Sequence, residues 1–415
     1  MNVQSATVKG AVTTAPLMSE RRVSLLGALL VALGPISMSL FTPAMPEIVH
    51  VFGTTESAVK LALSSYFAGF ACAQLICGPL SDGFGRRPVT FAFLGIYIAA
   101  VLVAMFAPTI EVLIAARFVQ GIGTAVGWAI ARALVRDSFV SEQAARIMNF
   151  IGLILGIGPA LAPTIGGMAL ELAGWHSIFV LMLIFGIAVV LVVHFCMRET
   201  VVRDLSRFRP RALARSYGTL LSHPGFLLTS LVMAGSLGAL YAQATILPFI
   251  LMDRVGLSPT QFGMGMLMQS GSYFIGSLVM RLLLRRASAF TLVPFGLVMI
   301  ALGSIAMAIN LRIFEPTFLG VMGPVALYTF GIALVLPAMT TAALAPFPQM
   351  AGSAASLQGF FQMGGGLLGG AAAALIGEPV IGMATVIPVM GAIAIVAWLG
   401  WHSLSRGHQG PNPDA

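Results

Sequence analysis

Charged side chains and cysteines are scarce in this 415-residue chain. Only 9% of the residues are charged, 58% are hydrophobic, and the mean hydropathy is +0.97. No soluble fold buries that much apolar surface with so few charges at its exterior, so the composition predicts a polytopic membrane protein. Cys72, Cys77 and Cys196 all lie in apolar segments and have neither disulfide nor metal-ligand spacing.

Groups that carry out chemistry are also missing from the sequence. The six histidines stand singly, without an acid or a cysteine at ligand spacing, and no phosphate-binding loop is present. These absences argue against a membrane-embedded enzyme and against ATP as the driving force, and they predict neither a cofactor nor a metal. Nothing in the sequence resembles the selectivity filter of a channel.

Long apolar runs dominate what is there, and each is long enough to cross a bilayer, which takes about 20 residues. The twelve runs are 22–43, 58–80, 89–107, 110–131, 145–168, 174–196, 225–251, 261–284, 288–310, 317–340, 353–376 and 380–402. Eighteen Lys and Arg residues fall on the side that holds the N-terminus, and only Arg254 and Arg312 fall on the other. The positive-inside rule therefore places both termini in the cytoplasm. This topology explains the net charge of +8 without a nucleic-acid partner.

The longest polar stretch divides the spans into two sets of six. We expect a cytoplasmic tail at 1–21, a six-helix bundle at 22–197, a basic cytoplasmic linker at 198–224, a second bundle at 225–403 and a tail at 404–415. The halves show weak similarity, since spans 5 and 11 are both rich in glycine. Two six-helix halves with a substrate site between them at the midplane are a known transporter plan.

A polar run between spans 2 and 3 is the most specific string in the chain. Residues 78–88 read GPLSDGFGRRP and resemble the loop signature G-x-L-S-D-x-x-G-R-R-P of the major facilitator superfamily. Residues 117–123 are similar to its fourth-helix motif R-x-x-Q-G-x-G, and residues 158–167 are similar to the fifth-helix motif of its antiporters. Residues 42–46 and 174–179 narrow the resemblance to the bicyclomycin and chloramphenicol exporters of the Bcr/CflA type.

The resemblance implies an all-α membrane protein with twelve transmembrane helices in two pseudo-symmetric six-helix bundles. It also implies a monomer of the bacterial inner membrane that exports drugs or small amphipathic molecules by alternating access, as a proton antiporter. Its partners would be the small-molecule substrate, the lipid bilayer and protons. Two alternatives stay open, namely an exporter of an anionic or zwitterionic metabolite or siderophore, and a carrier that is not coupled to protons.

The polar run is expected to form a conformational latch on the cytoplasmic side. We expect Asp82 to dock on the unpaired N–H groups at the start of span 11, near Ser353, while Arg86 pairs with Asp137. An ordinary solvated turn is the simpler interpretation of the two arginines. The residues assigned to the latch are Asp82, Arg86, Arg87, Asp137, Gly78 and Gly85.

A charge deep within span 4 is a second candidate. Placing the charged side chain of Arg117 in lipid would cost at least ~2.5 kcal/mol of free energy, so this side chain must face protein or water. It either ties span 4 to carbonyl groups of span 1 or works in the transport cavity. Gln120, one turn away, would share its face of the helix.

Span 5 contains a cluster of small residues and a proline that allow a neighbouring backbone to approach closely. The cluster comprises Gly158, Pro163, Gly166 and Gly167. In the family it resembles, this motif closes the contact between spans 5 and 8 against leakage. Ordinary packing of small residues is the alternative interpretation.

Neutral polar residues within the spans are candidates for the substrate cavity, although each alone is more often an interhelical hydrogen bond than a ligand. They are Ser39, Tyr66, Asn149, Tyr241, Gln243, Gln269, Tyr273, Tyr328, Gln358 and Gln362. Tyr241 and Gln243 rank highest because Pro248 interrupts the same helix. Surrounding Phe and Met side chains suit varied apolar drugs.

The acid that proton-coupled relatives usually carry in helix 1 is missing, and Ser39 stands at the corresponding position. All fourteen acidic residues fall outside the twelve spans, whereas span 2 contains Lys60. Either an acid at a helix end, Glu47 or Glu56, takes the proton, or the cavity is cationic and suits anionic or zwitterionic solutes. A third interpretation is that Lys60 simply extends its ammonium group to the outer membrane interface.

Overall fold

All regular elements in the described part of the chain are helical. The computed structural model describes residues 18–139, 141–201, 203–205 and 210–407, so most of both expected tails lies outside the described residues. The helices are α1 Glu20–Phe41, α2 Met45–Val51, α3 Glu56–Phe84, α4 Arg86–Met105, α5 Ile110–Thr124, α6 Val126–Ser138, α7 Ser141–Ala173, α8 His176–Cys196, α9 Pro210–Leu221, α10 Pro224–Pro248, α11 Pro259–Leu283, α12 Ala289–Ile313, α13 Phe318–Leu344, α14 Ala351–Ile376 and α15 Pro379–Gly407.

Eleven helical segments of the described residues are long and apolar enough to cross a membrane. Four of them combine more than one element: α1 with α2 through a 3₁₀ turn, α5 with α6, α10 with the π-helical turn Phe249–Arg254, and the 3₁₀ turn Pro348–Met350 with α14. The remaining predicted span is α11. Its 25 residues are long enough to cross a membrane, but their mean hydropathy is lower than that of the other eleven segments. The polar stretch 269–273 in its middle lowers its mean hydropathy, and it packs against α7 and α13.

Local capping explains where many of these helices begin. The side chains of Thr55, Thr109, Ser258, Ser288 and Thr317 each accept a hydrogen bond from the backbone N–H three residues later. Such caps satisfy N–H groups that have no partner within the helix. The observed helices extend past several predicted spans because amphipathic turns continue the helix beyond the apolar run, as in α7.

Each half of the chain has its own hydrophobic core. The first core is built mainly from α1–α8 and includes Phe41 and Phe179, and the second is built from α10–α15 and includes Ile246 and Ile387. The halves meet chiefly where α3 packs along α14 and where α7 packs along α11. The two-bundle fold is therefore confirmed, while the proposed boundaries 22–197 and 225–403 stay a prediction.

The antiparallel helices give the molecule two distinct ends. We call the end with the α3–α4 corner at Gly85 and the linker helix α9 the arginine-rich end, because Arg86, Arg87, Arg136 and Arg215 lie there. The other end carries the connections 52–55, 106–109, 174–175, 255–258, 314–317 and 377–378 and is called the opposite end.

Candidate functional site

Arg86 is the centre of a buried polar cluster at the arginine-rich end. Its side chain is 3% exposed, and its guanidinium contacts Asp82 Oδ1 at 2.6 Å, Ser81 Oγ at 2.6 Å and Asp137 Oδ2 at 3.2 Å. Three oxygens around one planar guanidinium compensate for its removal from water. The predicted pair between Arg86 and Asp137 is therefore present, and it ties α4 to the end of α6.

The α3–α4 corner depends on a carboxylate that sequence reasoning missed. Gly85 has φ +101°, and a Cβ at this position would lie 2.8 Å from Glu199 Oε2. Glu199 accepts hydrogen bonds from the backbone N–H groups of Arg86 at 2.9 Å and Arg87 at 3.0 Å, so it caps α4. Arg87 donates to the His194 carbonyl, whereas Gly78 has open space around its Cα hydrogen.

The expected docking of Asp82 on the start of span 11 is absent from this structure. Asp82 pairs with Arg86 and lies 3.9 Å from Arg136 Nη2, and both arginines belong to its own half. The side chain of Met350, the N-cap of α14, makes no capping hydrogen bond within the described residues. The physical reason is that two nearby cations satisfy this carboxylate more fully than the partial charge of a helix end does.

Arg117 is fully buried in the first half without an acidic partner among the described residues. Its Nη1 lies 2.5 Å from Gln120 Oε1, and its guanidinium stands 4.3 Å from the centre of the Phe41 ring and 4.6 Å from that of Tyr66. Its Nε and Nη2 have no hydrogen-bond partner. Gln120 lies on the same face as Arg117, as expected, and also contacts it, whereas the tie to span 1 runs through the Phe41 ring rather than through carbonyl groups.

The small residues of span 5 bring α7 and α11 into close contact, as the antiporter motif predicts. A Cβ at Gly167 would overlap the Pro259 carbonyl, and a Cβ at Gly263 would overlap the backbone of Thr164 beside the buried Pro163. Gly166 and Gly158 face α1 instead, near Leu40 and Ile36 respectively. Glu171 completes the contact because it accepts from Thr260 N at 3.0 Å and from Thr260 Oγ1 at 2.7 Å.

Lys60 joins the two halves at the opposite end. Its side chain is 0% exposed, and Nζ lies 3.2 Å from Glu56 Oε2 and 3.1 Å from the Gly377 carbonyl oxygen in the second half. The ammonium also stands 5.1 Å from the centre of the Phe249 ring. The interpretation that Lys60 extends to the membrane interface is therefore wrong, because acceptors and an aromatic face inside the protein hold its head group.

The two acids considered as proton carriers differ in their surroundings. Glu47 accepts a hydrogen bond from Trp175 N at 3.2 Å and so caps the start of α8. Glu56 is 28% exposed at its side chain and pairs with the buried Lys60. Of these two acids, only Glu56 contacts a side chain, that of Lys60, which also forms a hydrogen bond to the other half.

Part of the predicted cavity set comes together between α3, α10 and α11. Gln269 Nε2 donates to Gln243 Oε1 at 2.9 Å, and the rings of Tyr241 and Phe67 from opposite halves lie 5.5 Å apart. Gln243 Nε2 and Gln358 Nε2 are buried and have no hydrogen-bond partner among the residues that the structure describes. Unpaired buried amides at this depth have donors to offer a bound solute or water.

Other members of the predicted cavity set lie elsewhere. Tyr328 is completely buried in the second core, where its hydroxyl donates to the Gly235 carbonyl at 2.7 Å. Tyr66 is also core, since its hydroxyl donates to the Gly34 carbonyl at 2.9 Å. These two residues are corrected to helix-packing roles, because large aromatic rings fill bundle interiors. Ser39 is buried, Tyr273 and Gln362 are half-buried, and Asn149 is exposed.

The fully or nearly fully buried charges all have one sign in the part of the chain that the structure describes. Lys60, Arg86 and Arg117 are buried, whereas no buried side chain there is acidic. The same residues contain no group of three or more His, Cys, Asp and Glu side chains that could hold a metal ion. The arrangement can therefore favour an anion or a neutral polar group over a cation inside the protein.

Comparison with known proteins gives consistent family matches. The family described as Major Facilitator Superfamily matches residues 27–370. The chain is 30% identical over 402 residues to "Multidrug resistance protein D" of Escherichia coli (strain K12), covering 94% of this chain and 98% of that protein. It is 27% identical over 384 residues to a "Bicyclomycin resistance protein homolog" of Haemophilus influenzae, covering 90% and 93% of the two chains.

Solved structures with similar folds are also membrane transporters. The crystal structure of a D-xylose-proton symporter matches with a TM-score of 0.73 and 13% identity, covering 92% of this chain and 97% of that chain. The inward-facing, unoccupied structure of a bacterial homologue of the human lysosomal transporter Spinster matches with a TM-score of 0.70 and 17% identity, covering 93% and 97%. At these identities the likeness concerns the fold alone.

Proposed function

This chain belongs to the Major Facilitator Superfamily, and from that premise we propose that it exports drugs or other small amphipathic molecules across the bacterial inner membrane by proton antiport. It is a multi-pass membrane transporter and not an enzyme. Relatives named for multidrug and bicyclomycin resistance support the choice of substrate class. The observation that carries the proposal of antiport is the close α7–α11 contact at Gly167 and Gly263, because the small-residue motif behind it is typical of antiporters.

In our proposal the arginine-rich end and both termini lie in the cytoplasm, in line with the positive-inside rule. The opposite end then faces outward and is closed by contacts between the halves. Ser57 Oγ donates to the Ala374 carbonyl at 2.7 Å, Lys60 reaches Gly377, and Glu171 caps α11. This conformation would load substrate from the cytoplasm, and rocking of the two halves would release it outside.

Proton coupling in this proposal works through Glu56. In the observed state the Glu56 carboxylate partly neutralises the buried Lys60 ammonium, and Lys60 holds Gly377 of the other half. Protonation of Glu56 from the outside would leave a buried cation without its counter-charge, which is costly. This cost applies only while the outer end is closed, so Glu56 would take up its proton in the outward-open state as the substrate leaves. Once the outer end closes again, Glu56 would lose the proton toward the cytoplasm, which exchanges one proton moving inward for substrate moving outward.

Export and its dependence on Glu56 are testable in cells that lack their own efflux pumps. We expect cells that express the protein to accumulate less radiolabelled chloramphenicol than cells with an empty vector. We expect Glu56→Gln to remove most of this difference, because an amide takes up no proton. Glu315→Gln changes an exposed acid at the same end and should leave export unchanged. Equal accumulation with and without the protein would contradict the export, and full export by Glu56→Gln would contradict the coupling.

A second candidate function is export of an anionic or zwitterionic metabolite or siderophore. The observation that favours it is the uniform positive sign of the buried charges Lys60, Arg86 and Arg117. A negative group that comes close to Arg117, which has no acidic partner among the described residues, would meet a favourable charge, whereas a cationic group would be repelled. A carrier that is not coupled to protons would keep the same charges and would also export equally with and without a proton gradient.

A further inference from the structure

One face of α6 carries a row of large side chains to which the proposed transport mechanism assigns no role. Trp128, Arg132 and Arg136 follow each other at intervals of four residues, so they share one face of the helix. Trp128 and Arg132 are half-buried and Arg136 is exposed. A row of arginines in a membrane helix is costly unless it faces protein or a water-filled cavity.

The other faces of α6 are occupied by the first bundle. Gly127 packs tightly on the Leu30 backbone of α1, Ala131 lies near Gly27 of α1, and Asp137 pairs with Arg86 of α4. Helix α6 also contacts α3 and α7, which are the two helices that pair with α14 and α11 of the second half. Trp128 and Arg132 thus lie on a remaining face of α6 toward the arginine-rich end, where Trp128 also packs against the first core.

Arg132 differs from Arg136, one turn along the helix, because no acidic side chain of the described residues pairs with it. Arg136 lies 3.9 Å from Asp82 and 3.7 Å from Asp137. Arg132 forms no ion pair in the described chain, and its one hydrogen bond joins Nε to the Trp128 carbonyl at 3.2 Å. Its guanidinium stands 5.7 Å from the centre of the Trp128 ring, which fixes its position without neutralising its charge.

We propose that Trp128 and Arg132 face the path by which a substrate enters between the halves, and that they bind the anionic group of an amphipathic substrate there. The Nη groups of Arg132 are placed to hold a carboxylate in a bidentate manner, and the indole of Trp128 offers an apolar surface for the adjoining part of the molecule. The inference rests on the proposed export function and adds amphipathic anions to the substrates that the protein would carry.

Binding of two matched fluorescent probes to the purified full-length protein in lipid nanodiscs tests the site. The probes are 1-pyrenebutyrate and 4-(1-pyrenyl)butyl-trimethylammonium, which share an aromatic body and differ in charge. Energy transfer from tryptophan to pyrene reports binding. We expect the wild type to bind the carboxylate about tenfold more tightly than the ammonium, as one charge-assisted contact would give. We expect Arg132→Gln to abolish this preference and Arg132→Lys to retain part of it.

The control is Arg285→Gln, which removes an exposed arginine at the same end of the molecule and should keep the wild-type preference. Binding of the ammonium probe by Arg132→Gln shows that the variant is folded. Equal or weaker binding of the carboxylate by the wild type overturns the proposal, and so does an unchanged preference in Arg132→Gln. Because no proton gradient is present, failure of the antiport mechanism leaves this result unaffected.

Discussion

At the scale of single residues, the buried cations are compensated in three different ways. Arg86 has two carboxylates and a hydroxyl, Lys60 has one carboxylate and a carbonyl, and Arg117 has only an amide and two aromatic faces. A buried charge with weak compensation lowers stability, so its presence calls for a function. Arg86 thus has the partners expected of a structural residue, whereas Arg117 does not have them.

Replacement of Arg86 by lysine should lower stability. A lysine ammonium is a point charge and cannot contact three oxygens in the planar arrangement that the guanidinium uses. We expect Arg86→Lys to lose about 1–3 kcal/mol, seen as a lower thermal midpoint in detergent. Arg87→Lys is the control, since Arg87 donates through Nη2 to a single carbonyl. Equal midpoints for the two variants would show that the cluster adds no stability.

Replacement of Arg117 by methionine should separate stability from function. An apolar side chain of similar length removes a poorly compensated charge, so we expect the thermal midpoint to stay the same or rise. We also expect export of chloramphenicol to fall to background, because the charge serves transport. A lower midpoint together with normal export per folded molecule would identify Arg117 as a structural residue.

At the scale of elements, carboxylates that are remote in sequence cap helix ends. Glu47 caps α8, Glu171 caps α11 and Glu199 caps α4, and each lies more than 80 residues from the helix that it caps. Caps such as Ser258 are readable from sequence because the donor lies three residues away. The remote caps were missed because no local pattern indicates which acid approaches which helix end.

The close backbone contact between α7 and α11 can be tested by a single substitution. We expect Gly167→Val to force these helices apart at the opposite end, because its Cβ would overlap the Pro259 carbonyl. Overpacking of this kind costs about 1–3 kcal/mol, and export should fall with it. Gly152→Val in the same helix is the control, since open space surrounds a Cβ there. Equal export by the two variants would argue against a role for the contact.

At the scale of the whole molecule, the linker helix α9 connects both halves at the arginine-rich end. The Tyr217 hydroxyl donates to the Leu75 carbonyl of α3 at 2.6 Å, while Leu220 is buried among Phe226, Phe347 and Leu357 of the second half. Burial raises the pKa of the Tyr217 hydroxyl to about 12, so it remains a donor at neutral pH. Helix α9 is thus held by contacts that the basic composition of the linker alone did not predict.

The all-helical membrane fold and the Arg86–Asp137 pair could be predicted because hydropathy and a specific motif determine them. The conformational state could not be predicted from the sequence. Both states of a carrier use the same residues, and their free energies differ by only a few kcal/mol. Asp82 illustrates this point. Its expected partner at the start of α14 belongs to the other half, whereas the arginines that it contacts here belong to its own half.

Transport of radiolabelled chloramphenicol into inverted membrane vesicles tests proton-driven export most directly. Vesicles that contain the protein and carry an inward-acid proton gradient should accumulate the compound, because their outer face corresponds to the cytoplasm. Addition of nigericin, which collapses the pH gradient, should reduce accumulation to that of vesicles without the protein. Accumulation that persists unchanged after nigericin would contradict the proton antiport on which this account depends.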